Sequence, residues 1–163
     1  MIHAAPNLTS SDGTTPKFAV GTLYETKGAT YMYCLATAAT IAAYAACSGA
    51  TPAAMEEATT TTVTALGTAG GFACIPQFAV AASEYFWAPV GPFYLREDGS
   101  TAFKVIAENA SAGAALLTTG NDGSLDDASG GGQIGLVGLA LTATATTQAA
   151  TACVSFRRLA WKV

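Results

Sequence analysis

Apolar and polar positions alternate in short runs along much of this chain, and the runs are broken at Gly, Pro, Asn or Asp. A period of two places alternate side chains on opposite faces of a strand, so the pattern predicts β-structure. Tyr31, Tyr33 and Leu35 alternate with Met32 and Cys34, which predicts a strand with both faces covered. Ahead of it, residues 18–24 open the fold, with Phe18, Val20 and Leu23 pointing inward and a turn at Thr26-Lys-Gly-Ala. Residues 74–81 and 85–90 flank a polar Ala-Ser-Glu and stop at Pro89-Val-Gly, which reads as a hairpin. Pro76 and Pro89 place its strands at an edge or mark strand ends.

Further strands are expected over 59–64, 102–107, 114–118 and 134–144, and 154–161 ends the sheet. Turns fall at Glu97-Asp-Gly-Ser, Asn109 to Gly113 and Asn121-Asp-Gly-Ser, with loops at 67–71 and Gly130-Gly-Gly. Gly135 and Gly138 mark a bend in the strand that holds them. Two segments lean towards helix. Residues 36–46 are Ala-rich, and Ile41, Tyr44 and Ala45 could share a helical face, but Thr residues and Gly49 favour strand; both readings stand. Thr51-Pro-Ala-Ala-Met-Glu-Glu has an N-cap, a first-position Pro and early acids, so it predicts a helix of one or two turns. The expected fold is mainly β: a compact barrel or sandwich of short antiparallel strands, with at most one or two short helices.

The 163 residues suit a single β-rich domain over 18–163, preceded by an arm over 1–17 made of turn formers. That arm is either disordered or laid on a neighbouring subunit. Ala makes up about a fifth of the chain, so the core has little area per residue. Part of the stability is therefore expected from backbone ladders and from contacts with further copies or a partner.

Charge changes the picture mostly by being sparse. Seven Lys and Arg face eleven Asp and Glu, for a net charge of −4, and residues 28–55 and 58–83 carry none. Only Arg157, Arg158 and Lys162 cluster, which reads as solvated charge at the end of a strand, so no nucleic-acid partner is expected. Residues 31–50 are uncharged but diluted by Thr, Ser, Gly and Ala, which argues against a membrane helix. Met1-Ile-His-Ala-Ala-Pro has neither the basic start nor the apolar run of a signal peptide. Cys34, Cys47, Cys74 and Cys153 form no Cys-x-x-Cys pair; buried thiols in a reducing compartment or one to two disulfides both fit.

Catalytic chemistry is thinly supplied. His3 is the sole histidine and lies in the arm, which argues against a Ser or Cys triad. Glu84, Glu97, Asp98, Glu108, Asp122, Asp126 and Asp127 could pair as in glycoside hydrolysis, but most stand in turns, where Asp bonds its own backbone. Asn121-Asp-Gly-Ser-Leu-Asp-Asp lacks the full ligand set and closing Glu of a calcium hand, and Gly130-Gly-Gly-Gln lacks the Lys of a phosphate loop. Asn7-Leu-Thr and Asn109-Ala-Ser match the glycosylation pattern, which matters only in a secreted eukaryotic protein. The expectation is a protein that is not an enzyme, with no cofactor and no metal.

Five stretches carry a resemblance: Val20-Gly-Thr-Leu-Tyr, Gly28-Ala-Thr-Tyr-Met-Tyr, Val80-Ala-Ala-Ser-Glu-Tyr-Phe-Trp-Ala-Pro-Val-Gly, Ala114-Ala-Leu-Leu-Thr-Thr-Gly-Asn-Asp-Gly-Ser-Leu and Ile134-Gly-Leu-Val-Gly-Leu-Ala-Leu. Their order, between Val20 and Leu141, resembles the capsid cement, or head decoration, proteins of tailed bacteriophages. The 36–64 segment is richer in Ala than that family leads one to expect. The resemblance implies a compact β domain on the outer capsid face that clamps neighbouring capsomers. It also implies the major capsid protein as partner, a homo-oligomer on the shell, and assembly in the host cytoplasm. The rival reading is a carbohydrate- or ligand-binding β module of a phage tail or fibre. Its stacking platform would come from Tyr85, Trp87, Phe93 and Tyr94. Of the neighbours Phe86 and Trp87, one is expected to anchor the core while the other faces a second surface, with Trp87 the better anchor.

Overall fold

The computed structural model describes residues 5–26, 28–37, 39–59, 71–93, 95–96, 100–128 and 139–155. The fold is mainly β, and the described residues contain no helix. Eleven strands run in chain order among the described residues: β1 Leu23–Thr26, β2 Ala29–Leu35, β3 Cys47–Gly49, β4 Glu56–Glu57, β5 Phe72–Cys74, β6 Tyr85–Gly91, β7 Lys104–Ala107, β8 Leu117–Thr118, β9 Leu125–Asp126, β10 Leu139–Leu141 and β11 Ala149–Ser155. They form three sheets, ordered β1-β2-β6, β4-β3-β5 and β10-β11-β7-β9-β8. Pairing of the described strands is antiparallel except for β7 with β9, which meet in parallel at Ala107 and Leu125; a separate parallel bridge joins Ala36 to Met55.

The β1-β2-β6 sheet lies between two apolar clusters, and strand alternation decides which side chain enters which. Tyr31, Tyr33 and Trp87 project into one cluster with Phe93, Phe103, Val105, Leu125, Leu139 and Cys153. Met32, Cys34, Phe86, Ala88 and Val90 project into the other with Ile41, Cys47, Met55, Cys74 and Val80. Six consecutive residues of β2, Ala29 to Cys34, are consequently buried. The expected double-faced strand is present. The second surface expected for one of Phe86 and Trp87 is a second core, since both rings are buried.

Thr26 pairs with Ala29, and Gly28 between them sits at φ +82°, a conformation that suits glycine. The expected turns at Asn109 to Gly113 and at Asn121 to Ser124 are also present, with Asn109, Gly113 and Gly123 at positive φ.

Three local expectations are corrected. The hairpin of 74–81 with 85–90 does not form. β5 pairs with β3 and β6 pairs with β2, while Ile41 bridges Val80 and Ser83 turns the chain at φ +62°. Burial explains the choice: β6 must put Phe86 and Trp87 into separate cores, and β2 offers an apolar partner on both faces. Pro89 still obeys its rule, because β6 is the outer strand of its sheet. No helix forms at Thr51: the chain makes one hydrogen-bonded turn, where Ala54 N–H donates to the Thr51 carbonyl at 3.0 Å. Met55 is then drawn into the core and Glu56–Glu57 into β4, so the start signals are real but the chain leaves the helical path. Last, β11 begins at Ala149, five residues before the expected strand.

The described residues of 36–46 form neither strand nor helix: Ala36 and Ile41 make single bridges and Tyr44 has φ +68°. The segment 1–17, read as an arm, lies from Leu8 to Lys17 against its own chain. Asp12 N–H donates to the Tyr85 carbonyl at 2.7 Å, Tyr85 N–H to the Gly13 carbonyl at 2.9 Å, and Lys17 N–H to the Tyr33 hydroxyl at 3.1 Å. Leu8 packs on the first cluster, and Lys17 pairs with Asp12 at 2.8 Å. The strand expected at 59–64 beyond Thr59, the Gly130 loop, residues 134–138 and residues 156–161 lie outside the described residues.

Gln77 ties two sheets together. Its amide nitrogen donates to the Ile75 and Lys104 carbonyls at 3.1 and 2.9 Å, and its amide oxygen accepts from Lys104 N–H at 2.9 Å. One buried side chain thus satisfies both backbone groups of the first residue of β7.

Candidate functional site

The candidate site is an open hollow of about 360 Å³ lined by Ala5, Pro6, Phe18, Thr22, Leu23, Tyr24 and Trp87. Strand pairing builds it: β1 carries Leu23 and Tyr24, β6 carries Trp87, and the N-terminal segment supplies the rest. Trp87 is held edge-on by Phe18 (ring centres 5.1 Å apart at 72°) and by Tyr24 (6.1 Å at 67°), and it tilts at 47° against Tyr33 at 5.0 Å. Edge-to-face contacts of this kind set the positive ring edge against the negative ring face. Trp87 Nε1 is buried with no hydrogen-bond partner, which leaves a donor unspent beside the hollow. Tyr24 is the most exposed of these rings, at 36%.

The expected stacking platform is not assembled. Trp87 and Phe93 are 1% and 0% exposed, and Tyr85 lies against Tyr33 with rings 5.8 Å apart and 14° from parallel. Tyr94 lies outside the described residues. The aromatic hollow instead gathers residues from positions 5, 18, 24 and 87, a combination that strand pairing creates.

The carboxylates serve turns. Glu84 Oε2 accepts from Ala81 N–H at 3.3 Å, Asp126 Oδ1 from Ala128 N–H at 3.0 Å, and Asp127 Oδ2 from Ser111 N–H at 2.8 Å. The Ser111 bond holds Asp127 below the usual carboxylate range, whereas burial, with Glu108 and Asp127 nearby, raises Asp126. Glu108 accepts both contacts from the Asn121 amide at 2.9 and 3.1 Å. Asp122 lines a shallow groove with Glu56 and Glu57, and Glu57 accepts from Ala42 N–H at 2.6 Å. Glu97, Asp98 and His3 lie outside the described residues. Among the described residues no three His, Cys, Asp or Glu side chains are arranged to hold a metal ion. No described helix is long and apolar enough to cross a membrane.

No family model, curated protein or solved structure matches the chain.

All four cysteines are buried free thiols. Burial pushes Cys34 and Cys47 well up, and it pushes Cys153 on β11 up to about 12. Burial likewise raises the Tyr33 phenol. A folded-state pKa above the unfolded one stabilises the fold below the unfolded value and ceases to do so as pH climbs through the folded value. The contribution of Cys153 should therefore hold up to about pH 8.5, the ordinary thiol value, and fall steadily towards pH 12. Urea midpoints measured from pH 8 to 11 will show this. Cys153→Ala should flatten the slope by about 1 kcal/mol per pH unit. An unchanged slope would mean that Cys153 ionises as easily folded as unfolded.

Proposed function

We propose that this chain is a structural protein of the phage particle that binds the outer face of the capsid and clamps neighbouring capsomers. The observation that supports the reading is the use made of the aromatic residues. Trp87, Phe86 and Phe93 are spent on two internal clusters and are each 1% exposed or less. The resemblance between Val20 and Leu141 to capsid cement proteins points the same way, as do carboxylates engaged with turn backbone. A clamp of this kind needs many modest contacts repeated over a symmetric shell, and repetition supplies the avidity. The major capsid protein is its partner, and copies of this chain associate on the shell.

The test is the copy number of this chain relative to the major capsid protein in purified particles, by quantitative mass spectrometry. A number equal to that of the shell protein, or a simple fraction of it, is expected. Absence from particles overturns the reading. The hollow beside Tyr24 and Trp87 favours a second one, a carbohydrate- or ligand-binding module of a tail or fibre. A handful of copies per particle, with tryptophan fluorescence changed by added oligosaccharide, would select it.

A further inference from the structure

Three of the four cysteines meet in one place. Cys47 on β3 stands directly opposite Cys74 on β5 in an antiparallel register. Paired residues of this kind project to the same face with Cβ atoms about 4.5–5.5 Å apart, close to the separation that a disulfide spans. Cys34 projects from β2 into the same apolar cluster, and, although burial pulls the other way, the neighbouring Cys34 and Cys47 thiols lower the Cys74 pKa. Cys34 and Cys47 each also reach a carbonyl two residues back, those of Met32 and Ala45, at 3.5 Å. Cys74 is thus the sulfur common to both possible pairs. Cys153 belongs to the other cluster.

We propose that Cys74 is the hub of an intramolecular thiol–disulfide site, pairing first with Cys47 across the β3–β5 register and able to exchange to Cys34. Forming the bond removes two protons and two electrons from two thiols, so an oxidant is required; the oxidant class is a small azo compound or a disulfide. With diamide, one thiolate of the pair adds to the N=N bond. The second sulfur then attacks the first, the S–N bond breaks, and the hydrazine leaves with both protons and both electrons. Exchange to Cys34 needs no further oxidant: the Cys34 thiolate attacks Cys74 and Cys47 departs as thiolate. The Cys47–Cys74 bond closes the chain between residues 48 and 73 and fixes β5 to β3 covalently.

The experiment treats the native full-length protein with diamide, alkylates the remaining thiols, and identifies linked peptides by mass spectrometry. The expected result is a mass lower by about 2 Da, two alkylated thiols in place of four, and a peptide joining Cys47 to Cys74. In Cys47→Ser the link should move to Cys34–Cys74, and in Cys74→Ser no intramolecular link should form. A Cys34–Cys74 link in the unsubstituted protein also supports the hub. Four free thiols after oxidation, or a link that leaves out Cys74, overturns the proposal. Because the first arm uses the unsubstituted chain, the outcome does not depend on a variant that folds.

Discussion

Trp87→Ala is expected to lower the stability of the fold by about 3–5 kcal/mol, the usual cost of emptying a large aromatic site in a core. The ring is 1% exposed and makes three aromatic contacts, with Phe18, Tyr24 and Tyr33. Each such pair adds about 0.5–1.5 kcal/mol beyond burial. The cavity would not collapse easily, because β2 and β6 keep Tyr33 and its neighbours in register. Few side chains in so Ala-rich a sequence can compensate. Trp87→Phe is the informative partner. It keeps most of the ring and removes a donor that has no acceptor, so it should cost less than about 2 kcal/mol. Urea unfolding followed by circular dichroism reads both. A loss below about 1 kcal/mol for Trp87→Ala would show that this ring does not anchor the core.

Gly123→Ala should follow at about 2–5 kcal/mol, combining a backbone cost of roughly 1–2 with an overpacking cost of roughly 1–3. Gly123 has φ +66°, and an added Cβ would stand 2.6 Å from the Ala45 Cβ. The close approach is needed there. Ala46 N–H donates to the Gly123 carbonyl at 2.9 Å, Gly123 N–H donates to the Ala58 carbonyl at 3.0 Å, and Ala58 N–H donates to the Ala46 carbonyl at 2.8 Å. This triangle of backbone bonds fastens the turn before β9 to the chain around β3 and β4. Gly113→Ala separates the two contributions. Gly113 has φ +78° and nothing within 4 Å of an added Cβ, so it should show the backbone cost alone, about 1–2 kcal/mol. Equal losses at the two glycines would refute the contact argument.

The sequence revealed most where side-chain size left few options. β2 was legible because Tyr31, Met32 and Tyr33 are bulky on both faces, and the turns at 109–113 and 121–124 because Asn, Asp and Gly suit their backbone. The mainly β class followed from the same two signals. Pairing was not legible: residues 74–81 and 85–90 are near in sequence, yet the partners of β5 and β6 are β3 and β2. Ala149 to Ala152 carries no bulk to announce a strand, and its ladder with β7 rests on backbone bonds. The helix signal at Thr51 was local, and the burial of Met55 overrode it. The hollow escaped for a similar reason. Phe18, Tyr24 and Trp87 were each visible as aromatics, but only the β1-β2-β6 order brings them together.

That sheet order has a consequence during synthesis. β2 ends at Leu35 and its partner β6 starts at Tyr85, so 49 residues, carrying the whole β4-β3-β5 sheet, must emerge between them. At the usual pace of translation this delay is roughly 2–10 s. Throughout it, the bulkiest strand of the protein has only the short, half-exposed β1 beside it, and its second edge stays open. Unpaired apolar edges template association between nascent chains. The yield of folded protein should accordingly depend on how many chains are being made close together, even though each finished domain buries that strand from Ala29 to Cys34.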